Sequence, residues 1–134
     1  MSYWQKSITI LRSLLAIALA AVAVVLVNQA GGWLAEWLGL PPGGNGRLAW
    51  DLGWVIASGT AGIWVTARTA PCAPRGHALV SFVLLLAAAV WAVLEMGADF
   101  PWWFCAGLVL ALPLEGWLGT RLALRGRRRS ATPA

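Results

Sequence analysis

Charge is scarce in this sequence: of 134 residues only 11% are Asp, Glu, Lys or Arg, whereas 60% are hydrophobic. A typical soluble domain is about one quarter charged. A water-soluble fold of this length could not bury so much apolar surface, so the composition predicts a protein that lies in lipid. The length predicts a single domain, residues 1–134.

Cysteine and histidine, the residues that most often hold metals, haem or redox centres, are also scarce. The two cysteines, Cys72 and Cys105, form no CxxC motif, and a single histidine, His77, cannot ligate a haem from both sides. Acid–base and nucleophilic catalysis need several polar groups that converge, and the apolar runs contain few polar residues. We therefore expect no cofactor, no metal site and no catalytic residues, and hence a non-enzymatic protein.

What the chain has instead is four long apolar runs, at about residues 8–27, 48–67, 78–94 and 100–118. A helix of about 20 residues crosses the hydrocarbon of a bilayer. None of the runs alternates strictly every two residues, as a membrane barrel strand does. The sequence thus predicts an all-α integral membrane four-helix bundle. No small-x-small cleavage site closely follows the first run, so we expect this run to remain as a span.

The basic residues fall on one side of the predicted membrane. Nine of the ten lie at the N-terminus, between spans two and three, or after span four; Arg47 is the exception. The positive-inside rule therefore predicts that both termini are cytoplasmic. The composition, rich in Ala, Gly, Arg and Trp with a single lysine, is typical of a GC-rich bacterial gene, so we expect the bacterial inner (plasma) membrane.

The net charge of +5 is concentrated after the last apolar run, in a basic tail over residues 121–134. Basic segments beside a membrane are attracted by anionic headgroups. We therefore expect the tail to face lipid headgroups, and no nucleic acid as a partner. The arginines that carry this prediction are Arg121, Arg125, Arg127, Arg128 and Arg129.

Ten tryptophans lie mostly near the predicted membrane boundaries, which indole rings favour. The longest loop, residues 31–46, contains a segment at residues 33–38 whose Trp and Leu residues would face lipid if it formed a short helix on the outer surface. The Pro41–Gly46 segment would then break the helix and return the chain.

Small residues predict where the spans pack, because helices in lipid approach closely only where side chains are small. In span two they are Gly53, Ala57 and Ala61 at four-residue spacing, with Ser58 and Gly62 beside them. We expect these residues to make contacts within the chain rather than to form a dedicated dimer face.

Pro113 lies inside span four, where a proline removes a backbone hydrogen bond and bends the helix. A kink near an acid occurs in transport pathways and in plain structural bundles. We favour the plain structural role.

Two opposite charges lie inside the predicted spans, Arg12 in span one and Glu115 in span four. Intramembrane charges are costly and are candidate functional sites. Both lie roughly 7–9 Å from the cytoplasmic surface at 1.5 Å per residue, and neither has an opposite charge one turn away in its own helix. We predict that they pair. The alternative is that Arg12 extends to the headgroups and Glu115 is protonated or faces water.

The remaining acids lie towards the outer side. Asp51 has Arg47 one turn earlier, so a local surface pair is the simpler interpretation. Alternatively, Asp51, Glu95 and Asp99 form an acidic outer mouth that gathers cations.

The sequence therefore predicts an accessory subunit or scaffold of a membrane assembly, whose partners are anionic lipid and another membrane protein or a second copy of the chain. The alternative is a small homo-oligomeric transporter or channel that uses Glu115 and the outer acids.

Overall fold

A computed structural model describes residues 2–130, apart from the side chains of residues 127–130. This part of the chain is helical and contains no strand, which confirms the all-α prediction. Four long helices make up the fold, with a 3-10 turn before the last. They are α1 Tyr3–Trp37, α2 Asn45–Thr69, α3 Pro74–Met96 and α4 Trp102–Ser130, and the 3-10 turn is Gly97–Asp99.

Helix α1 is longer than predicted, and the separate interfacial helix at residues 33–38 does not exist. The helix continues through Gly31 and Gly32 to Trp37, so its 35 residues extend over roughly 50 Å. The indole N–H of Trp50 donates to the Gly31 carbonyl at 2.9 Å, and a side chain at Gly31 would overlap Trp54. These contacts from α2 hold the α1 backbone helical across its two glycines.

Helix α1 ends in a turn that needs glycine. Gly39 has φ +70°, the left-handed conformation typical of a helix C-terminus, and Pro41 and Pro42 follow. The loop that joins α1 and α2 is therefore residues 38–44, shorter than the predicted 31–46.

Helix α4 also runs beyond its predicted end. It continues to Ser130, so the predicted basic tail is helical over residues 121–130; residues 131–134 lie outside the described part of the chain. Arg, Leu and Ala are good helix formers, which accounts for the extension.

Contacts between helices establish their directions. Gly31 of α1 meets Trp54 of α2, and Gly62 of α2 meets Val24 of α1, so these two helices are antiparallel. Along α4, the residues that meet α2 rise in the same order in both helices: Gly107 meets Leu52, Gly119 meets Ile63 and Gly126 meets Arg68. Helices α2 and α4 are therefore parallel.

Helix α3 runs alongside α1 in the same direction. Ser13 and His77 meet near the start of both helices, and further along Ala20 and Val24 of α1 line a groove with Leu84 of α3. These directions place the start of α1 and the end of α4 at the same end of the bundle, which we call the basic end. The basic residues of this end whose side chains are described are Lys6, Arg12, Arg68, Arg75, Arg121 and Arg125.

The core is thin and built from small side chains. Its central cluster is Ile63, Ala67, Ala78 and Ala123, and Phe82 and Leu85 pack against it. Most large apolar side chains of α1 and α3 face outward. Such a surface is unfavourable in water and is what a lipid-embedded protein presents.

Within the described residues, three helices are long and apolar enough to cross a membrane: α1, α3 and α4. Helix α2, which the apolar runs predict as a span, is not among them. It packs against the other three helices. Its buried residues include Ser58, Gly59 and Thr66. A helix covered by protein on most sides requires fewer apolar side chains than one covered by lipid.

Candidate functional site

Glu115 is the buried charge-bearing residue of the described chain. It lies on the face of α4 that packs on α2, and its relative exposure is 1%. Its carboxylate lies directly against Gly59 of α2, where a Cβ would overlap it. Gly59 therefore provides the space that the carboxylate occupies. The sequence pattern singles out Glu115 but not Gly59.

The Glu115 carboxylate is not satisfied by protein groups. Its Oε1 is buried without a hydrogen-bond partner among the described residues, and so is the hydroxyl of Thr60, which follows Gly59 on α2. A side chain at Gly119 would meet the Thr60 carbonyl at 2.8 Å, so the two backbones approach closely here. Unpaired buried polar atoms are costly and uncommon in native proteins. This cost makes the site a candidate for a functional role.

The predicted pair between Arg12 and Glu115 is not formed. Arg12 is exposed, and the salt bridge that the described residues contain joins Arg47 to Asp51. Helix α2 packs against both α1 and α4, so it separates the two residues.

The depths of the two residues also differ in the folded chain. Gly62, one turn beyond Gly59 in α2, meets Val24 and the Ala20 carbonyl of α1. Arg12 lies eight residues before Ala20, or roughly 12 Å nearer the basic end. The expectation of equal depth measured Arg12 from residue 8 and Glu115 from Arg121. Both helices run further, and the extension of α4 to Ser130 is longer than that of α1 to Tyr3, so Glu115 lies deeper below the basic end than Arg12.

The outer acids differ in their surroundings. The Arg47 guanidinium donates to both carboxylate oxygens of Asp51, at 3.0 and 3.2 Å, so these residues form the local pair. Glu95 and Asp99 are exposed near the turn between α3 and α4. In the described part of the chain no three Asp, Glu, His or Cys residues are grouped closely enough to hold a metal ion.

Helix α2 does not pack mainly through the predicted face of Gly53, Ala57 and Ala61. Gly53 and Ala57 are exposed, a Cβ at Gly53 would meet nothing within 4 Å, and Ala61 is half-buried. Ser58 and Gly62 are buried as expected, with Gly62 against Val24. The helix has small residues on two faces, and spacing alone does not tell which face meets its neighbours.

Two polar contacts between helices involve residues that the sequence does not single out as partners. The hydroxyls of Thr66 and Ser81 lie 2.8 Å apart in the buried interface of α2 and α3. His77 Nε2 lies 2.9 Å from the Ser13 hydroxyl and joins α3 to α1. Both contacts link neighbouring helices through polar side chains, as is common between helices in lipid.

Pro113 lies on an exposed position of α4, and the helix continues on both sides of it. Pro113 precedes the buried Glu115 by two residues. Cys72 is exposed and Cys105 half-buried, both as free thiols.

Two of the five arginines predicted to face lipid headgroups have described side chains. Arg125 is exposed on α4, one turn after Arg121, whose guanidinium carbon lies 4.8 Å above the Trp117 ring. The side chains of Arg127, Arg128 and Arg129 lie outside the described residues.

No family model, no curated protein and no solved structure matches this chain.

Proposed function

We propose that the protein is a non-enzymatic subunit or scaffold of the bacterial inner membrane that acts by association with another membrane protein or with a second copy of itself. Three helices are apolar and long enough to cross a bilayer, which supports a membrane location. The basic end would face the cytoplasm, because Lys and Arg are enriched in cytoplasmic segments. In this arrangement α2 also spans the membrane, inside the bundle.

The exposed small residues of α2 are the observation that supports this proposal. Gly53 and Ala57 lie one turn apart on the helix that packs against the other three, yet both are exposed, and no described part of the chain approaches Gly53. Small residues let helix backbones approach closely, and the interfaces between helices in lipid are enriched in them. A helix of a partner could therefore pack closely against this face.

Native mass determination from mild detergent tests the association. We expect the wild-type chain to retain a second copy or another membrane protein, and Gly53→Ile to reduce that complex about tenfold, since the added side chain separates the helices. Ala87→Ile is the matched control, because Ala87 is an exposed small residue on α3. Association would be ruled out if the wild-type chain were monomeric and alone, or if the two variants behaved alike.

A second candidate function, transport of protons or small cations by a homo-oligomer, is favoured by Glu115. A buried carboxylate with an unpaired oxygen inside a helical membrane protein is typical of ion pathways. In this function Asp51, Glu95 and Asp99 would gather cations at the outer end, where Asp51 is already paired with Arg47.

Flux into liposomes that contain the purified protein tests transport. If Glu115 carries ions, Glu115→Gln abolishes proton or cation flux, whereas Glu95→Gln, which removes an exposed acid, leaves it intact. The absence of wild-type flux, or equal flux in both variants, would exclude a transport role for Glu115.

A further inference from the structure

An open groove of about 580 Å³ lies at the basic end between the start of α3 and the last turns of α4. Three arginines line it: Arg75 from α3 and Arg121 and Arg125 from α4. Its other lining residues are Gly116, Trp117, Thr120 and Leu124. None of these described lining residues is acidic, so the groove concentrates positive charge.

The arginines are positioned by different elements. Arg75 lies in the first turn of α3, which begins without a side-chain cap, so the free N–H groups of this turn add to the positive potential. Arg121 stacks on Trp117, one turn earlier in α4, at 4.8 Å. Stacking holds its guanidinium at the rim of the groove and leaves its N–H groups able to donate.

A second, more apolar groove of about 390 Å³ continues from the first. The two share Arg75, Gly116, Trp117 and Thr120. The continuation adds Leu79 and Phe82 from α3 and Pro113 from α4, and so extends along the bundle away from the basic end. At Gly116 a Cβ would lie 3.2 Å from the Phe82 ring, so glycine keeps the passage between the helices open.

We propose that these joined grooves, which we call the α3–α4 groove, bind one anionic phospholipid. Arginines form paired, charge-assisted hydrogen bonds with phosphate, and three of them surround the place where the headgroup would lie. An acyl chain would follow Leu79 and Phe82 towards the centre of the bilayer. The order of charge and then apolar surface along the groove matches the order of headgroup and chain in a lipid. The inference needs the membrane location, but neither the association nor the transport proposal.

Competition between lipids with identical acyl chains tests the groove. The wild-type protein, purified in mild detergent, is mixed with equimolar phosphatidylglycerol and phosphatidylcholine, and retained lipid is counted by native mass spectrometry. We expect phosphatidylglycerol to be preferred about tenfold or more. Arg121→Gln with Arg125→Gln should remove most of this preference, because each arginine near an anionic lipid contributes about a fivefold effect.

The matched control is Lys6→Gln with Arg12→Gln, which removes two exposed charges from α1 at the same end of the bundle. Preserved preference in this control, together with its loss in the groove variant, supports the groove. Equal loss in both variants would show a diffuse basic field and overturn the proposal. Displacement of phosphatidylglycerol by millimolar inorganic phosphate would overturn it too, since the site would then take a free anion. All four substituted side chains are exposed, so the variants should fold.

Discussion

At the scale of single residues, Gly59 and Glu115 form a close contact between α2 and α4. The carboxylate fills the space that a side chain at position 59 would need, and one of its oxygens is unpaired among the described residues. A simple packing contact would not require an acid here. Burying Glu115 is costly, and this cost makes it the strongest single-residue candidate for a functional role among the described residues.

Gly59→Ala should lower the free energy of unfolding by about 1–3 kcal/mol, the range for overpacking a filled interior. The added methyl group would overlap the Glu115 carboxylate, so this buried side chain has to move. Thermal or denaturant unfolding in detergent, followed by helical circular dichroism, measures the change. The double variant Gly59→Ala with Glu115→Ala should recover part of the loss, because the obstructing carboxylate is gone.

Gly32→Ala is the control for this prediction. Gly32 lies inside α1 and a Cβ there would meet nothing within 4 Å, so alanine should be neutral or stabilising by up to about 1 kcal/mol through helix propensity. If Gly59→Ala has the same stability as Gly32→Ala, the close contact with Glu115 does not constrain the fold.

Sequence reasoning finds Glu115 but assigns it the wrong neighbour, Arg12. An isolated acid in an apolar run is visible in any single sequence, since its cost depends on local composition alone. Its contacts depend on how far α1 and α4 extend and on which helix lies between Arg12 and Glu115, and neither follows from the position of the charges. Gly59 is missed because the four-residue spacing from Gly53 points to another face of α2.

At the scale of helices, the apolar runs locate all four elements, but not their ends. Runs of apolar residues measure the part of a helix that lipid or protein covers. The ends depend on local chemistry instead: Gly39 and the prolines after it end α1, and Pro74 starts α3. Helix α4 continues beyond the end of its apolar run because arginine and leucine are good helix formers.

Helix α2 differs from the other three for a physical reason at this scale. Its buried hydroxyls and glycines face the neighbouring helices, with Thr66 bonded to Ser81, Gly59 against Glu115 and Gly62 against Val24. Close contact between helices rewards small residues more than apolar ones. Helix α2 is therefore less apolar than the three helices that could cross a membrane, although α2 packs against all three of them.

At the scale of the whole molecule, helix directions place the start of α1 and the end of α4 together. The contacts of α1 with α2, and of α2 with α4, require this without reference to a membrane. The prediction that both termini lie on one side rests on the number of apolar runs and on charge, which are independent observations. The side of the membrane depends on the basic residues alone.

Reporter fusions test the orientation. A cytoplasm-active reporter should be active at Met1 and at Ala134, and a periplasm-active reporter should be active in the loop of residues 38–44. The reason is that nine of ten basic residues would otherwise have to cross the membrane. Activity of the two terminal fusions in different compartments would contradict both the bundle and the orientation.

The sequence by itself determined that the chain is helical, that lipid suits its surface, and that Glu115 is an anomaly, because each depends on composition and on runs along the chain. Only the tertiary structure decided which face of α2 is covered, that α2 separates Arg12 from Glu115, and that Arg75 joins Arg121 and Arg125 around one groove. These features depend on the rotation and offset of neighbouring helices. Those are set by the fit of small side chains against large ones, which a linear pattern does not encode.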